Sequence, residues 1–429
     1  MIYFSIPILL GNLFQQLYNT VDSIIVGNFL GHEALAAVTA SASLSLMLIG
    51  FMMGVSTGAG VIISHYYGAG AQENLTKSIH TTIVFGLIFS SIIMVLGVFF
   101  TSDILNWMGT SKSVIDQAVI YLRIFFCGSI GIGMYNIFAG IMQAVGDSKH
   151  PLYYLVFSSV LNIILDLVFV TTTDLGVAGA AIATIISQFV SAFWCLYSLC
   201  KTEESYKVQL LEIKMDKRIL KQIIKVSIPS GLQNSIISFA NVIVQSYINS
   251  FGDLAMAGIG AYGKVESLAF VPILSFNLAI ITFISQNVGA REYDRAKKGA
   301  RFGIGLSVLT SETIGILMFV FAPQLIAAFD KTPEVIQFGV DKTRTAVIFF
   351  FLLSFTHAVA SIIRGTGQSF LPMIIMVVCW CVIRILILAV AIPVTHSIQV
   401  IYWVYPVTWC LSAIIFLFLY KKIRYIKRD

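Results

Sequence analysis

Long apolar runs, separated by short breaks of glycine, proline and charge, extend along almost the whole chain. A helix needs about 20 apolar residues to cross a hydrocarbon layer about 30 Å thick, because its backbone amides must be satisfied within the helix. The runs predict twelve spans, numbered here in chain order: 2–27, 34–66, 75–101, 114–142, 151–172, 177–200, 222–249, 255–287, 299–322, 335–363, 371–393 and 398–420. We therefore expect an all-α protein that crosses the lipid bilayer many times.

Composition agrees with this pattern. Hydrophobic residues make up 58% of the chain and charged residues 11%, against roughly 25% charged residues in soluble domains. The mean hydropathy is +0.89. These values exclude an ordinary soluble protein.

The basic residues are unevenly distributed among the loops. Twenty of them follow even-numbered spans or lie in the C-terminal tail, whereas the opposite loops hold only Lys112 and Lys331. Because Lys and Arg accumulate in cytoplasmic loops, both termini are predicted to be cytoplasmic, in the inner cell membrane. The same bias explains the net charge of +6, so nucleic acid is not an expected partner.

The chain repeats itself after 221 residues. Matches among turn residues carry this conclusion, because apolar matches mean little in such a sequence. Gly31, Ser64, Gly68, Gly146, Ser148 and Pro151 correspond to Gly252, Ser285, Gly289, Gly367, Ser369 and Pro372. We predict two six-helix bundles, at 1–200 and 222–429, joined by a cytoplasmic linker at 201–221. A duplicated membrane bundle is typical of a transporter.

Span 1 carries an unusual set of polar residues. At 100° per residue they share an arc of about 120° on the helix surface. They are Asn12, Gln15, Gln16, Asn19 and Asp22. An interhelical hydrogen-bond seam would explain the amides but explains Asp22 poorly, because a buried carboxylate is costly in a membrane.

Spans 5 and 6 carry further polar groups. Asn162 and Asp166 lie one turn apart in span 5, and Thr184 lies in span 6 with Gln188 one turn later. If these spans pack against span 1, two carboxylates converge, and one should hold a proton or Na⁺ near neutral pH. The alternative for Asp166 is a cap near the outer end of its helix.

Three segments together resemble the multidrug and toxic compound extrusion (MATE) transporters: Gln15–Gly27, Leu161–Asp166 and Gly176–Ala181. The resemblance extends over essentially the whole chain. It implies two six-helix bundles around a central cavity, which export drug-like or metabolite molecules by alternating access. H⁺ or Na⁺ would drive export, and no other cofactor or metal is implied.

The resemblance also assigns roles to particular residues. The family's cation-coupling positions fall on Asp22, Asn162, Asp166 and Thr184. Pro7 matches a proline at which the family's first helix has been proposed to bend, and its alternative role is that of a simple N-terminal helix proline. With Pro7, we assign Gln15 and Asn19 to a polar face of span 1 that takes part in the conformational change.

The second half lacks these acids, because Ile243 and Ile387 stand at the positions equivalent to Asp22 and Asp166. Ion coupling is therefore predicted only in the first half. The second half instead has four charged residues inside its predicted spans: Lys264, Glu266, Glu312 and Arg384. We expect the two acids to pair with the two bases, since unpaired buried charge is costly, and we keep Glu266 as a candidate substrate contact.

Other classes of protein fit less well. The six cysteines and six histidines have no metal-ligand spacing, and no phosphate-binding loop or catalytic triad is present, so we predict neither a metal site nor an enzyme. A lipid-linked precursor flippase is the first alternative, although such proteins more often have about fourteen helices. A non-transporting receptor or scaffold is the second. We expect a monomer.

Overall fold

The computed structural model describes residues 1–423, so the last basic residues of the predicted tail, from Arg424 to Arg428, lie outside the described part. Within it the chain is helical, with no strand. Grouped by its contacts, it forms two compact units: one holds Ile6–Gly231, and the other holds Met1–Ser5 and the chain from Leu232 onward.

The first unit is built from seven long helices and the start of an eighth. Their bounds are α1 Ile2–Leu30, α2 His32–Gly68, α3 Gln72–Trp107, α4 Ile115–Cys127, α5 Ser129–Val145, α6 Lys149–Thr172, α7 Val177–Lys201 and α8 Lys217–Asn249. In the second unit they are α9 Asp253–Gly289, α10 Tyr293–Val320, α11 Ala322–Ala327, α12 Pro333–Val347, α13 Phe350–Gly365, α14 Phe370–Val377, α15 Arg384–Thr395 and α16 Gln399–Ile423. A π-helical segment, Val378–Ile383, joins α14 to α15.

These helices confirm the predicted fold class. Among the described residues, eight helices are long and apolar enough to cross a membrane, and ten are when each bent pair counts as one span. The remaining two predicted spans, α1 and α8, carry polar residues within their apolar runs, namely amides in α1 and lysines together with amides in α8. Two predicted spans are not straight, because α4 and α5 meet at 45° and α12 and α13 at 53°.

The repeat seen in the sequence is also a repeat of local geometry. Ser64 donates its hydroxyl hydrogen to the carbonyl of Ala144 at 2.8 Å, and Ser285 does the same to Gly365 at 2.9 Å. Gly31 and its equivalent Gly252 both adopt a positive φ, 85° and 93°, which side chains other than glycine rarely adopt. The two halves therefore share turn chemistry as well as helix order.

The linker is anchored to the first unit. Val208 is 2% exposed, and its N–H donates to the carbonyl of Leu199 at 2.9 Å. Asp216 then caps α8, because one of its carboxylate oxygens accepts the N–H groups of Arg218 and Ile219 at 2.9 and 3.0 Å. These bonds favour the ionised side chain and hold the pKa of Asp216 below its usual value.

Within the first unit, α2 and the start of α8 approach closely through small residues. The hydroxyl of Ser227 donates to the carbonyl of Val55 at 3.0 Å. A Cβ atom added to Gly54 would lie 2.6 Å from the Cα and N atoms of Gly231, which is backbone and cannot move aside cheaply. Small residues at membrane-helix contacts allow this backbone approach.

We predict that Gly54→Ala destabilises the protein by about 1–3 kcal/mol, because the added methyl group must push two helices apart. Thermal unfolding of the purified protein in detergent would measure the loss. Gly60→Ala is the matched control on the same helix, because the nearest atoms to its added Cβ belong to α5 and lie at 3.7 Å, an ordinary contact distance. Equal melting temperatures for the two variants would contradict the close approach of α2 and α8.

Candidate functional site

Helix α1 places one acid inside the first unit and leaves much of its polar face outside. Asp22 is 8% exposed, whereas Gln16 and Asn19 are exposed and Gln15 is half-buried. Pro7 is buried in the second turn of the helix. Because proline has no N–H, it cannot donate the usual helical bond to the carbonyl four residues earlier.

Helices α6 and α7 supply the other polar groups. Asn162 is 2% exposed and Asp166 is fully buried, one turn apart on α6. Asp166 lies six residues before the helix ends at Thr172, so it does not cap the helix, and that alternative is wrong. Thr184 is half-buried on α7, where its hydroxyl donates to the carbonyl of Ala180 at 3.1 Å.

The structure brings these side chains together. The carboxyl groups of Asp22 and Asp166 are close enough to interact electrostatically, and the amide of Asn162 lies beside Asp166. Nevertheless, both oxygens of Asp166 and one oxygen of Asp22 have no well-formed hydrogen bond, and neither has either polar atom of the Asn162 amide. Buried polar groups normally have partners, so this cluster has unused capacity to bind a small ion.

A narrow crevice adjoins the acids. Thr184 lines this crevice together with six other polar residues of α1, α6 and α7. The six are Tyr18, Ser158, Ser159, Asn162, Ser187 and Gln188. Hydroxyl and amide oxygens of this kind are suitable partners for a proton carrier or a hard monovalent cation.

Two tyrosines belong to the site although the sequence did not single them out. Tyr18 and Tyr121 are 8% and 7% exposed, and both hydroxyl groups are in electrostatic range of the two carboxyl groups. Tyr18 lies one turn before Asp22 on α1, and that spacing could have identified it. Tyr121 comes from α4, and nothing in its local sequence indicates this contact.

In the part of the chain that the structure describes, no basic side chain forms an ion pair with either acid. Among residues 1–423, the three ion pairs closer than 4.0 Å all involve other residues, at the ends of α3, α6 and α10. Two adjacent carboxylates in an apolar interior repel strongly unless a proton or cation lies between them. The arrangement can therefore bind one such ion and release it when the surroundings change.

The second unit contains a different cluster. Among the described residues, the expected ion pairs of Lys264 and Glu312 are not formed, whereas Arg384 is in electrostatic range of Glu266. Glu266 accepts a hydrogen bond from the Tyr262 hydroxyl at 2.6 Å, and Glu312 accepts the N–H of Phe351 at 3.2 Å. Lys264 is exposed. The sequence did not reveal which face of each helix is buried, and that face decides which charges meet.

Arg384 is buried, as expected for a paired base. A second buried base, Lys342, lies near it and was not among the residues predicted for this cluster. Lys342 is 2% exposed on α12, and both side chains are in electrostatic range of Glu266. A lysine inside a predicted span was the available signal.

A duplicated set of membrane-spanning helices with buried, unpaired carboxyl groups defines the chain as a polytopic membrane transporter. The MatE family matches it twice, over residues 7–168 and again over 229–390, and these segments correspond to the two repeats. The chain therefore belongs to the MATE family.

Named relatives agree with this membership. The chain is 30% identical to the probable multidrug resistance protein YoeA of Bacillus subtilis over 379 residues, which cover 87% of this chain and 82% of the relative. It is 28% identical to the probable multidrug resistance protein NorM of Thermotoga maritima, over 87% of this chain and 81% of the relative. The FAD transporter of Shewanella oneidensis is 22% identical, over 78% and 74%.

Solved structures show the same fold. A multidrug resistance MATE family transporter in an outward-facing conformation superposes with a TM-score of 0.93 at 24% identity, covering 100% of this chain and 96% of that one. A MOP superfamily transporter from Pyrococcus furiosus gives the same TM-score, identity and coverage.

We predict that the thermal stability of the protein falls when the pH is raised in the absence of Na⁺. The two adjacent carboxyl groups then lose the proton that one of them carries, and their two negative charges repel in the folded state. Asp166→Asn should abolish most of this dependence, since an amide carries no charge at any pH. Melting temperatures of purified protein over a pH series would measure the effect.

Asp174→Asn is the matched control for that series, because Asp174 is exposed in the turn between α6 and α7. It should leave the pH dependence unchanged. A wild-type melting temperature that does not depend on pH or Na⁺ would show that the two acids share no exchangeable ion.

Proposed function

We propose that this MATE family member is a secondary active antiporter, which exports organic, cationic amphiphilic compounds in exchange for H⁺ or Na⁺. Its relatives are named for multidrug resistance, which supports export of drug-like molecules. The adjacency of Asp22 and Asp166 in the buried part of the first unit is the observation that carries the coupling proposal.

In the proposed cycle, an inward-moving cation and the outgoing solute compete for the two acids. Binding of the cation lowers the charge of the ionised pair from −2 to −1, and release on the cytoplasmic side restores the second negative charge. A ligand shifts two conformations only by its differential affinity for them, so the distance or solvation of the two carboxyl groups must change during the cycle. Asn162 and Thr184 would supply oxygen ligands that stay uncharged in both the ion-bound and the ion-free state.

The available driving force is sufficient for uphill export. A membrane potential supplies about 2.3 kcal/mol per charge per 100 mV, and a proton gradient adds about 1.4 kcal/mol per pH unit. One-for-one exchange of a monovalent cationic solute for a cation moves no net charge, so the ion gradient drives it, and one pH unit supports about a tenfold substrate gradient for each proton exchanged. No chemical step and no cofactor other than the coupling ion is needed.

The polar face of α1 provides a route by which the state of the acids could reach the rest of the protein. Gln15 lies beside the Tyr18 hydroxyl, which is itself in electrostatic range of Asp22. Asn19 is on the exposed side of the same helix, and Pro7 weakens its first turns. We assign these three residues to the conformational change and not to ion binding.

We predict that Asp22→Asn abolishes cation-driven efflux, because an amide can neither bind a proton nor balance the charge of Na⁺. The measurement is transport of a cationic fluorescent dye by inverted membrane vesicles or proteoliposomes, with a pH gradient and a Na⁺ gradient applied separately. The gradient that drives wild-type transport identifies the coupling ion.

Asp174→Asn again serves as the matched control and should transport at the wild-type rate. The amounts of each variant in the membrane are compared by immunoblot, so that loss of protein is not mistaken for loss of coupling. Undiminished efflux by Asp22→Asn would refute the assignment, and dye movement that ignores both gradients would refute antiport.

A further inference from the structure

Two basic side chains are buried together in the second unit. Lys342 on α12 and Arg384 at the start of α15 are 2% and 3% exposed. Burial of one charged side chain in a membrane protein is costly, and burial of two close together costs more. Such residues usually have a function.

The ammonium group of Lys342 is fixed by the backbone of α16. It donates to the carbonyl oxygens of Ile401 at 3.1 Å and Tyr402 at 3.5 Å. Pro406 has no N–H to bond the carbonyl of Tyr402, so a break in the helix provides a free acceptor for the lysine. The same ammonium group lies 3.8 Å from the centre of the Tyr405 ring.

Arg384 lies against the same tyrosine. Its guanidinium carbon is 4.2 Å from the centre of the Tyr405 ring, and one terminal nitrogen donates to the hydroxyl of Thr408 at 3.2 Å. Its Nε–H, which is buried, has no partner. Tyr405 therefore contacts both cations, and one N–H donor of the arginine is unused.

The charges of this cluster do not balance. Glu266 is the acid that faces the two cations, and its carboxylate is held by the Tyr262 hydroxyl. Among the described residues, neither Lys342 nor Arg384 forms an ion pair shorter than 4.0 Å. One carboxylate opposite two cations leaves an excess positive charge in an apolar interior, and an anion would neutralise it.

Two helices depart from regular α-helical hydrogen bonding next to the cluster. The π-helical segment Val378–Ile383 ends immediately before Arg384, and Pro406 interrupts the bonding of α16. Single π-helical turns occur frequently at functional sites, and interrupted helices in transporters expose backbone groups to ligands.

The repeat gives an independent argument. At the offset of 221, Lys342, Arg384 and Tyr405 correspond to Tyr121, Ile163 and Thr184 of the first half. Tyr121 and Thr184 surround the paired acids there. Two of the three positions equivalent to the basic cluster thus lie beside the acidic cluster of the first unit, although the charged residues themselves stand at different positions in the two repeats.

We propose that Lys342 and Arg384 form an anion-binding site in the second unit. Its ligand is either a small inorganic anion such as chloride or the carboxylate or phosphate group of an organic solute. The unpartnered Nε–H of Arg384 and the ammonium group of Lys342 are the donors, and Glu266 competes with the ligand for both.

We predict that chloride, acetate or phosphate raises the melting temperature of the purified full-length protein in a saturable manner, because a ligand of the folded state stabilises it by mass action. Each is titrated as its sodium salt against sodium methanesulfonate, which is neither a halide nor a carboxylate nor a phosphate, at constant Na⁺ and constant pH. Stabilisation by chloride alone identifies an inorganic ligand, and stronger stabilisation by acetate or phosphate identifies an anionic group of a solute.

Two variants change this affinity in opposite directions. Arg384→Gln should weaken anion binding about tenfold or more, because it removes a charged donor. Glu266→Gln should tighten it severalfold, because it removes the competing carboxylate. A merely misfolded variant would not bind more tightly, so the second variant separates binding from stability.

Arg344→Gln is the matched control, since Arg344 is exposed on the same helix as Lys342, and it should bind as the wild type does. The proposal is overturned if none of the three anions stabilises the wild type more than methanesulfonate does, or if Arg384→Gln retains the full effect. The measurement is of equilibrium binding without transport, so its failure would leave the role of Asp22 and Asp166 intact.

Discussion

The cost of placing two carboxyl groups side by side in an apolar interior governs the chemistry of this protein. Asp22 and Asp166 are almost completely buried, lie next to each other and have no basic partner within 4.0 Å among the described residues. In such surroundings a second negative charge is strongly opposed. In the cycle we propose, a single cation therefore occupies the pair, and a movement that separates or hydrates the acids releases it.

The duplicated fold supplies a scaffold on which the two halves have diverged. Equivalent glycines and serines maintain the same turns and the same Ser–carbonyl hydrogen bond in each half. The buried polar residues are not maintained: the first half has paired acids, whereas the second has Lys342 and Arg384 around Tyr405. Backbone geometry has thus been kept where packing requires it, and side-chain chemistry has changed where ions could bind.

Much of this could be predicted from the sequence. Hydropathy and the 221-residue offset gave the number of spans and the fold class, because these depend on local composition. Spacing along α1 and α6 also predicts that Asp22, Asn162 and Asp166 lie on polar helix faces. The structure shows in addition that these three residues lie close together.

The remainder depends on how helices rotate against one another. Tyr121 reaches the acids from α4. Lys342 donates to two carbonyl groups of α16, of which a proline on that helix leaves that of Tyr402 free. Neither contact has a local sequence signal. The expected pairing of Glu312 with a base failed for the same reason, because its actual partner is the backbone N–H of Phe351.

The most direct test of the central claim is the number of ions displaced when a cationic substrate binds. Purified protein in weakly buffered solution would be titrated with the dye used for transport, while a pH electrode and a Na⁺ electrode record what is released. The account predicts that the wild type releases about one H⁺ or one Na⁺ per bound dye molecule and that Asp22→Asn releases none. Dye binding without release of either ion from the wild type would contradict it.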